Sequence, residues 1–227
     1  MSDLDLYLHT NYLNAEQFAS ACDISVGELS ELVGLQLIPE PSYVVTEQAT
    51  VKSYVFGEMD APGSTPGSYF HPGNRTWVEL ARRAELRNDA EAIKGLFETE
   101  FTDALVELNT TTWRLSDSFS KNGEIIEAGL RSRLDTAWEH FLKGTFGLCV
   151  ANPSSAREIA RKEILQEKLA SLTANGSKYV FASSELDKVL ALIDDYAASS
   201  MPFSPIEYPH SSRKRLVEDL RVKARSA

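Results

Sequence analysis

The chain has 227 residues, of which 43% are hydrophobic, and a formal net charge of -10 at pH 7. This length and apolar content are sufficient for a buried core, which excludes an intrinsically disordered chain. The negative charge opposes nonspecific binding to nucleic acid or to an anionic membrane surface.

No run of the sequence approaches the roughly 20 apolar residues that a membrane-spanning helix needs. The first residues also lack the basic region and apolar core of a signal peptide. We therefore expect a cytoplasmic protein that makes no contact with a membrane.

The charges are distributed unevenly along the chain. Residues 1–60, the acidic head, contain ten acidic residues and one basic residue, Lys52. Residues 211–227, the basic tail, contain six basic residues against Glu218 and Asp219. The two ends of the chain therefore differ in the kind of partner that each attracts.

Two short helices are predicted in the acidic head. Asn14 with Gln17 and Ser25 with Glu28 are capping-box patterns, and each precedes apolar residues at helical spacing. The second helix ends before Pro39, because proline disfavours a helical conformation in the residue before it. Two capped helices with a short connection predict a helix-turn-helix-like unit.

A small β-hairpin is predicted after these helices, from β-branched and aromatic residues at 43–45 and 51–56. Residues 60–74 are rich in glycine and proline, so no regular structure is expected there. The sequence divides accordingly into a head with a hairpin at 1–60, a Gly/Pro-rich loop or linker at 61–74, and a helical domain at 75–227.

Six helices are predicted after residue 75, on apolar residues spaced by three and four positions. Short connections between such helices are typical of a bundle. We therefore predict a mostly α fold, with a helix-turn-helix-like unit and a small β-hairpin followed by a helical bundle-like domain. The predicted helices span 76–86, a segment capped by Asn88, about 124–143 ending at Gly144, a segment capped by Ser155, one beginning at Ser184, and one beginning near Ser211 or Ser212.

Catalytic and metal-binding motifs are absent from the sequence. The four histidines, His9, His71, His140 and His210, are scattered, and the two cysteines lie in apolar surroundings. The sequence therefore predicts neither a metal site nor a cofactor, and it leaves open whether the protein is an enzyme.

A first candidate ligand-binding group lies beside the Gly/Pro-rich loop. Tyr69, His71 and Arg75 place aromatic, imidazole and guanidinium groups close together, a mixture that is typical of small pockets. A turn held by local side-chain hydrogen bonds explains the same residues.

A second candidate group lies where the basic tail begins. Serine hydroxyls there are predicted to cap a helix whose first turn carries cations, which favours a phosphate, a carboxylate or an acidic partner. The alternative is a solvated terminal helix that pairs with acidic residues elsewhere in the chain. The residues are His210, Ser211, Ser212, Arg213 and Arg215.

Residues 12–39 resemble the helix-turn-helix of MerR-type regulators, in which the second helix and a following wing contact DNA. Here Asp23 stands where that family usually has a turn glycine, and Ser30 and Glu31 follow Leu29 where a basic residue is common. Basic side chains supply most of a DNA binder's affinity. We therefore interpret the unit as structural or protein-binding and expect no DNA partner.

Four segments are similar to an uncharacterised bacterial family that is labelled a domain of unknown function and sometimes described as natural-product biosynthesis proteins. The resemblance extends from Tyr7 over most of the chain, and it implies no activity or catalytic residue that can be transferred. The segments are 138–149 (WEHFLKGTFGLC), 159–163 (IARKE), 202–207 (PFSPIE) and 211–217 (SSRKRLV).

Three functional hypotheses follow from these observations. The first is a non-catalytic binding or regulatory module that recognises a protein partner or a small anionic molecule. The second is an accessory biosynthetic enzyme that uses His71, His140 or His210 as acid-base groups. The third is a MerR-like DNA-binding regulator. The sequence does not define the oligomeric state.

Overall fold

A computed structural model describes residues 2–86 and 88–226, and in these residues the fold is mostly α with one small antiparallel sheet. No helix in this part of the chain combines the length and the apolar character needed to cross a membrane. The helices are α1 (Asp3–Asn11), α2 (Ala15–Ala21), α3 (Val26–Gly34), α4 (Arg75–Ala81), α5 (Ala90–Thr111), α6 (Glu127–Leu142), α7 (Thr145–Cys149), α8 (Ala156–Leu172), α9 (Ser183–Ser199) and α10 (Leu220–Ser226).

The strands are β1 (Leu13–Asn14), β2 (Tyr43–Val45), β3 (Thr50–Ser53), β4 (Gly57–Asp60) and β5 (Gly67–Phe70). Short 3-10 turns occupy Pro72–Asn74, Ala84–Leu86 and Tyr208–His210, and a π-helical turn at Lys214–Asp219 leads into α10.

Several helices begin at residues that the capping patterns predict. Asn14 and Gln17 cap α2 reciprocally, and the Ser25 side chain accepts a hydrogen bond from the backbone of Glu28 at the start of α3. The start of α5 differs from the prediction. Its cap is Asp89, because Asn88 has a left-handed φ of 61° and lies in the turn before the helix.

The sheet has the order β1-β5-β2-β3-β4, and all its neighbouring strands are antiparallel. The predicted hairpin corresponds to β2 and β3. The expectation of no regular structure at 60–74 was wrong for β5, which pairs with β1 on one side and β2 on the other. Pairing on both edges and burial of Tyr69 and Phe70 override the local preference of glycine and proline for turns.

The main hydrophobic core contains buried residues from Leu4 to Phe203, and its centre lies where α5 packs on α6 and α8. A second cluster joins α8, α9 and α10. Buried residues from both sides of 61–74 contribute to the main core. The division of the chain into head, linker and helical domain therefore stays a prediction about independently folding units.

Glu207 links the C-terminal segment, residues 203–215, to the sheet. Its side chain is buried and accepts hydrogen bonds from Tyr43 Oη at 2.6 Å, Ser53 Oγ at 2.5 Å and Ser204 Oγ at 2.9 Å. Burial raises the pKa of Glu207, and the three hydroxyl donors offset part of that shift. The carboxyl group therefore links the acidic head to the segment that leads to the basic tail.

Gly144 connects the end of α6 to α7 and lies against the head. Its φ of 69° is left-handed, which glycine adopts without the steric penalty of other residues. A Cβ at this position would overlap the carbonyl oxygen of Glu40 and lie 2.9 Å from that of Pro41. The predicted helix stop therefore also fixes how closely α6 and α7 approach the head.

Candidate functional site

A cavity of about 250 Å³, termed the Lys162 pocket, lies where α6, α7, α8 and the C-terminal segment meet the turn between β3 and β4. Phenylalanine and aliphatic side chains form part of its wall. The polar lining residues are His140 from α6, Thr145 and Cys149 from α7, Lys162, Glu163 and Gln166 from α8, and His210, Ser212 and Arg215 from the C-terminal segment.

Lys162 is the most buried charged group of the pocket, with a side chain only 3% exposed. Its ammonium donates hydrogen bonds to Glu163 Oε1 at 2.8 Å, Gln166 Oε1 at 2.8 Å and Cys149 Sγ at 3.4 Å. An ammonium has three protons, so all of them are used within the protein. Lys162 therefore acts on the pocket mainly through its electric field.

The electrostatics keep Lys162 positively charged. Burial acts to lower its pKa, but the neighbouring carboxylate of Glu163 acts to raise it, and the pKa is raised overall. Burial raises the pKa of the Cys149 thiol. A thiol with a raised pKa is a poor nucleophile at neutral pH, so we assign Cys149 to the wall of the pocket and not to covalent chemistry.

A chain of hydrogen bonds links Lys162 to the C-terminal segment. Tyr196 Oη donates to Gln166 Oε1 at 3.1 Å and lies 2.8 Å from Ser212 Oγ. Because the phenol has one proton, the Ser212 hydroxyl donates to Tyr196. The position of the tail at the pocket is thus coupled to the side chains that surround Lys162.

Other polar groups of the pocket keep unused hydrogen-bonding capacity. Thr145 Oγ1 is buried and has no hydrogen-bond partner, which is costly unless something else binds it. Arg215 is exposed, and its Nε donates to Asn175 Oδ1 at 3.1 Å. Within the described part of the chain, the terminal nitrogens of Arg215 and the rings of His140 and His210 make no side-chain hydrogen bond.

The lining charges are predominantly positive. Lys162 and Arg215 are cations, whereas Glu163 is the one acid among the described lining residues. The protein as a whole has a net charge of -10. A basic pocket in an acidic protein attracts anions.

The wall of the pocket also contains a strained residue. Phe203 has a left-handed φ of 64°, which is unusual for a bulky side chain, and its ring stands edge-on to Phe56 at 6.1 Å. Such a conformation costs about 1–3 kcal/mol and persists only where the surrounding contacts impose it. The hydrogen bonds of Glu207 and Ser204, just beyond Phe203, supply such contacts.

The structure separates the predicted residues of the basic tail. His210, Ser212 and Arg215 line the Lys162 pocket together. Ser211 Oγ accepts from the backbone nitrogen of Lys214 at 3.0 Å, and Arg213 donates to the last carbonyl groups of α9. Ser211 and Arg213 thus hold the ends of helical segments, and a role of these five residues in ligand binding stays a prediction.

The predicted group beside the Gly/Pro-rich loop lies elsewhere. Tyr69 Oη donates to the carbonyl of Thr65 at 2.9 Å, and His71 Nδ1 accepts from the backbone nitrogen of Gly73 at 3.0 Å. Arg75 is exposed at the start of α4. None of Tyr69, His71 and Arg75 lines the Lys162 pocket, and their role in ligand binding also stays a prediction.

His71 makes stability depend on pH. Burial lowers the pKa of His71 from 6.5 to about 4. Between these two pH values the ring is protonated in the unfolded chain and neutral in the folded chain. We expect this group to remove up to about 3 kcal/mol of stability as the pH falls from 6.5 to 4. His71→Asn keeps an acceptor for Gly73 and does not titrate. The difference in unfolding free energy between wild type and this variant should therefore shrink over that range.

Urea unfolding at a series of pH values measures this difference. The exposed His9 supplies a matched control, because His9→Asn removes a histidine without emptying a buried site. A His71→Asn variant with the same pH slope as wild type would show that the buried ring does not control acid stability.

Lys162 and Gln166 went unpredicted as pocket residues, although α8 carries a signal for them. Ile159, Lys162 and Gln166 are three and four residues apart and so share one face of the helix. A lysine on the face that begins with a buried isoleucine is unusual, because buried lysines need partners. Cys149 of α7, which accepts from Lys162, and Tyr196 of α9, which donates to Gln166, are brought to this face only by tertiary packing.

A larger cavity, of about 520 Å³, lies between α3 and α4. Its charged lining groups include Glu28, Glu31 and Arg82, and Arg82 is used by an ion pair with Glu28 at 3.3 Å and a bond to the carbonyl of Cys22. It lacks the buried charge and the unpartnered hydroxyl of the Lys162 pocket, which is therefore the better candidate site.

Residues 2–86 and 88–226 contain no cluster of side chains arranged to bind a metal ion. There, no three histidine, cysteine, aspartate or glutamate side chains lie close enough together to hold a metal ion.

Comparison with known proteins identifies one family. Residues 93–225 match the model of a family of unknown function, DUF6058. Every polar lining residue of the Lys162 pocket lies within the matched residues. No curated protein and no solved structure matches the chain. Because the match covers more than half of the 227 residues, the chain belongs to the DUF6058 family.

Proposed function

We propose that this protein binds a small anionic molecule, with a carboxylate or phosphate group, in the Lys162 pocket. The observation that carries the proposal is a basic, partly unsatisfied pocket in an acidic protein. Ordered donors and positive charge favour an anion, whereas a cation would meet the field of Lys162.

Each polar residue of the pocket has a different proposed role in binding the anion. Arg215 and His210 are exposed and are placed to meet the ligand at the entrance, and Arg215 offers a fork of donors that matches a carboxylate or phosphate. Thr145 Oγ1 is a buried donor without a partner, and rotation of its side chain toward the pocket would let a ligand satisfy it. Lys162 stabilises the anion through its charge, while its protons stay with Glu163 and Gln166.

Arg215→Ala is expected to weaken the binding of small anions by about 10- to 100-fold, because a charge-assisted hydrogen bond is lost. The test ligands are inorganic phosphate and butyrate. Isothermal titration measures their affinity, and amide chemical shifts of Thr145, Cys149 and Lys162 report whether the anion enters the pocket.

Arg225→Ala is the matched control, because Arg225 is an exposed residue of the same tail and carries the same charge outside the pocket. We expect it to change affinity less than threefold, since screened long-range attraction alone is altered. Equal losses in the two variants, or no binding of either anion to the wild type, would refute the proposal.

A second candidate function is acid-base catalysis on a bound anion. It is favoured by one observation, that His140 and His210 line the same pocket, whereas His71 lies outside it. Turnover that requires both histidines, with ligand binding retained in their glutamine variants, would favour this function over simple binding.

For the acidic head, we propose a helix-turn-helix-like unit that binds a protein partner and not DNA. Glu28 and Glu31 lie on α3, the helix that would face the duplex, and Glu28 is paired with Arg82. Carboxylates at that position repel phosphates. We also propose a setting: a cytoplasmic location, from the sequence, and a role in a bacterial natural-product pathway, from the family resemblance.

A further inference from the structure

A second cavity, of about 340 Å³, adjoins the Lys162 pocket between α5, α6 and α8. We term it the Arg133 cavity. The two cavities share His140, Phe146 and Glu163 as lining residues. The two cavities therefore adjoin at these three side chains, and a ligand that occupied both would have to pass them.

The charges of the Arg133 cavity are balanced within the protein. Arg133 bonds to Asp117 at 2.8–2.9 Å and to Glu167 at 2.7–3.2 Å. These pairs satisfy the guanidinium and leave it little capacity for a ligand. The Arg133 cavity thus differs from the Lys162 pocket, whose cations outnumber its acid.

The floor of the Arg133 cavity is apolar, although its rim is polar. Phe101 and Leu105 of α5 and Ile164 of α8 line it and belong to the buried core, so they present only small areas to a ligand. Contact with such side chains favours an alkyl or aryl group by removing apolar surface from water. One end of the combined space therefore selects for charge and the other for hydrophobicity.

The volumes also favour a ligand longer than a simple anion. The Lys162 pocket, at about 250 Å³, is smaller than the roughly 300–1,000 Å³ of typical ligand pockets. Joined to the Arg133 cavity of about 340 Å³, it enters that range.

We propose that the ligand is an elongated amphipathic anion, with its carboxylate or phosphate in the Lys162 pocket and its apolar chain in the Arg133 cavity. The inference rests on the proposed anion-binding function and adds the class of molecule. His140 and Phe146 lie where the head and the chain of such a ligand meet.

The test compares straight-chain carboxylates of increasing length, from acetate through butyrate and hexanoate to octanoate, by isothermal titration. We expect the affinity to rise about fourfold for each added methylene until the Arg133 cavity is filled. Hexyl phosphate, compared with hexanoate, distinguishes the two head groups. The expected stoichiometry is one ligand per chain.

Thr136→Trp is expected to abolish the gain with chain length while acetate binding changes less than threefold. Thr136 is an exposed residue of α6 that lines the Arg133 cavity and lies one turn before His140, so an indole there blocks the route. Ser132→Trp, at a second exposed lining position, repeats the test if the first variant is unstable. Ala128→Trp is the control, because Ala128 lies on the same helix and lines neither cavity.

The outcomes separate this inference from the function on which it rests. Affinity that is independent of chain length, yet lost in Arg215→Ala, overturns the amphipathic ligand and keeps the anion pocket. A length dependence that Thr136→Trp and Ser132→Trp leave unchanged, or affinities for the long chains that Arg215→Ala does not lower, show that the chains bind elsewhere and also overturn it. Absence of binding by all anions overturns both proposals.

Discussion

Glu207→Ala is expected to lower the free energy of unfolding by about 4 kcal/mol. The substitution leaves three hydroxyl groups, those of Tyr43, Ser53 and Ser204, without their acceptor in a buried site, and it opens a cavity between the sheet and the C-terminal segment. Relief of the buried carboxylate offsets part of this loss. Chemical denaturation at neutral pH measures the change.

The matched control is Glu218→Ala, which removes an exposed glutamate of the same C-terminal region. We expect a change within about 0.5 kcal/mol there, as is usual for surface positions. If Glu207→Ala also lost less than about 1 kcal/mol, the three hydroxyls would have found other partners and Glu207 would not hold the tail.

Gly144→Ala is expected to cost about 3–5 kcal/mol. An alanine at a φ of 69° has a left-handed conformation, and its methyl group would overlap the carbonyl of Glu40 and crowd that of Pro41. Either α7 moves away from the head or the helix stop rearranges. Because α7 carries Thr145 and Cys149, we also expect anion binding to weaken.

Gly95→Ala makes the same substitution with the opposite expected sign. Gly95 lies inside α5, and a Cβ there meets no atom within 4 Å. Alanine should stabilise the helix by up to about 1 kcal/mol, since it is the better helix former. Thermal unfolding of the two variants side by side tests the contrast, and destabilisation of similar size in both would contradict the steric argument for Gly144.

Local signals predicted the parts of the fold that depend on neighbouring residues. The capping patterns at Asn14 and Ser25 and the stop at Gly144 act within a few positions, and the structure confirms each of them. Strand β5 was missed because its pairing partners, β1 and β2, are distant in sequence. Helix α1 also went unpredicted, since its DLDLYL pattern alternates with the period of a strand.

The candidate site was predictable only in part for the same reason. The basic residues of the tail pointed to an anion, and three of the five predicted there line one cavity with Lys162. Nothing within the tail indicates which of its side chains turn inward. Arg213, for example, is drawn to the end of α9, and that contact depends on how two helices pack.

The position of Glu207 late in the chain has a consequence for biosynthesis. One wall of the Lys162 pocket, from Phe203 to Arg215, leaves the ribosome only after all the residues that form the other walls. The nascent polypeptide can therefore bury most of its main core while the pocket is still open on one side. If the proposed function holds, the pocket is complete for a ligand only after Arg215 has left the ribosome and the Glu207 carboxyl group has bound the sheet.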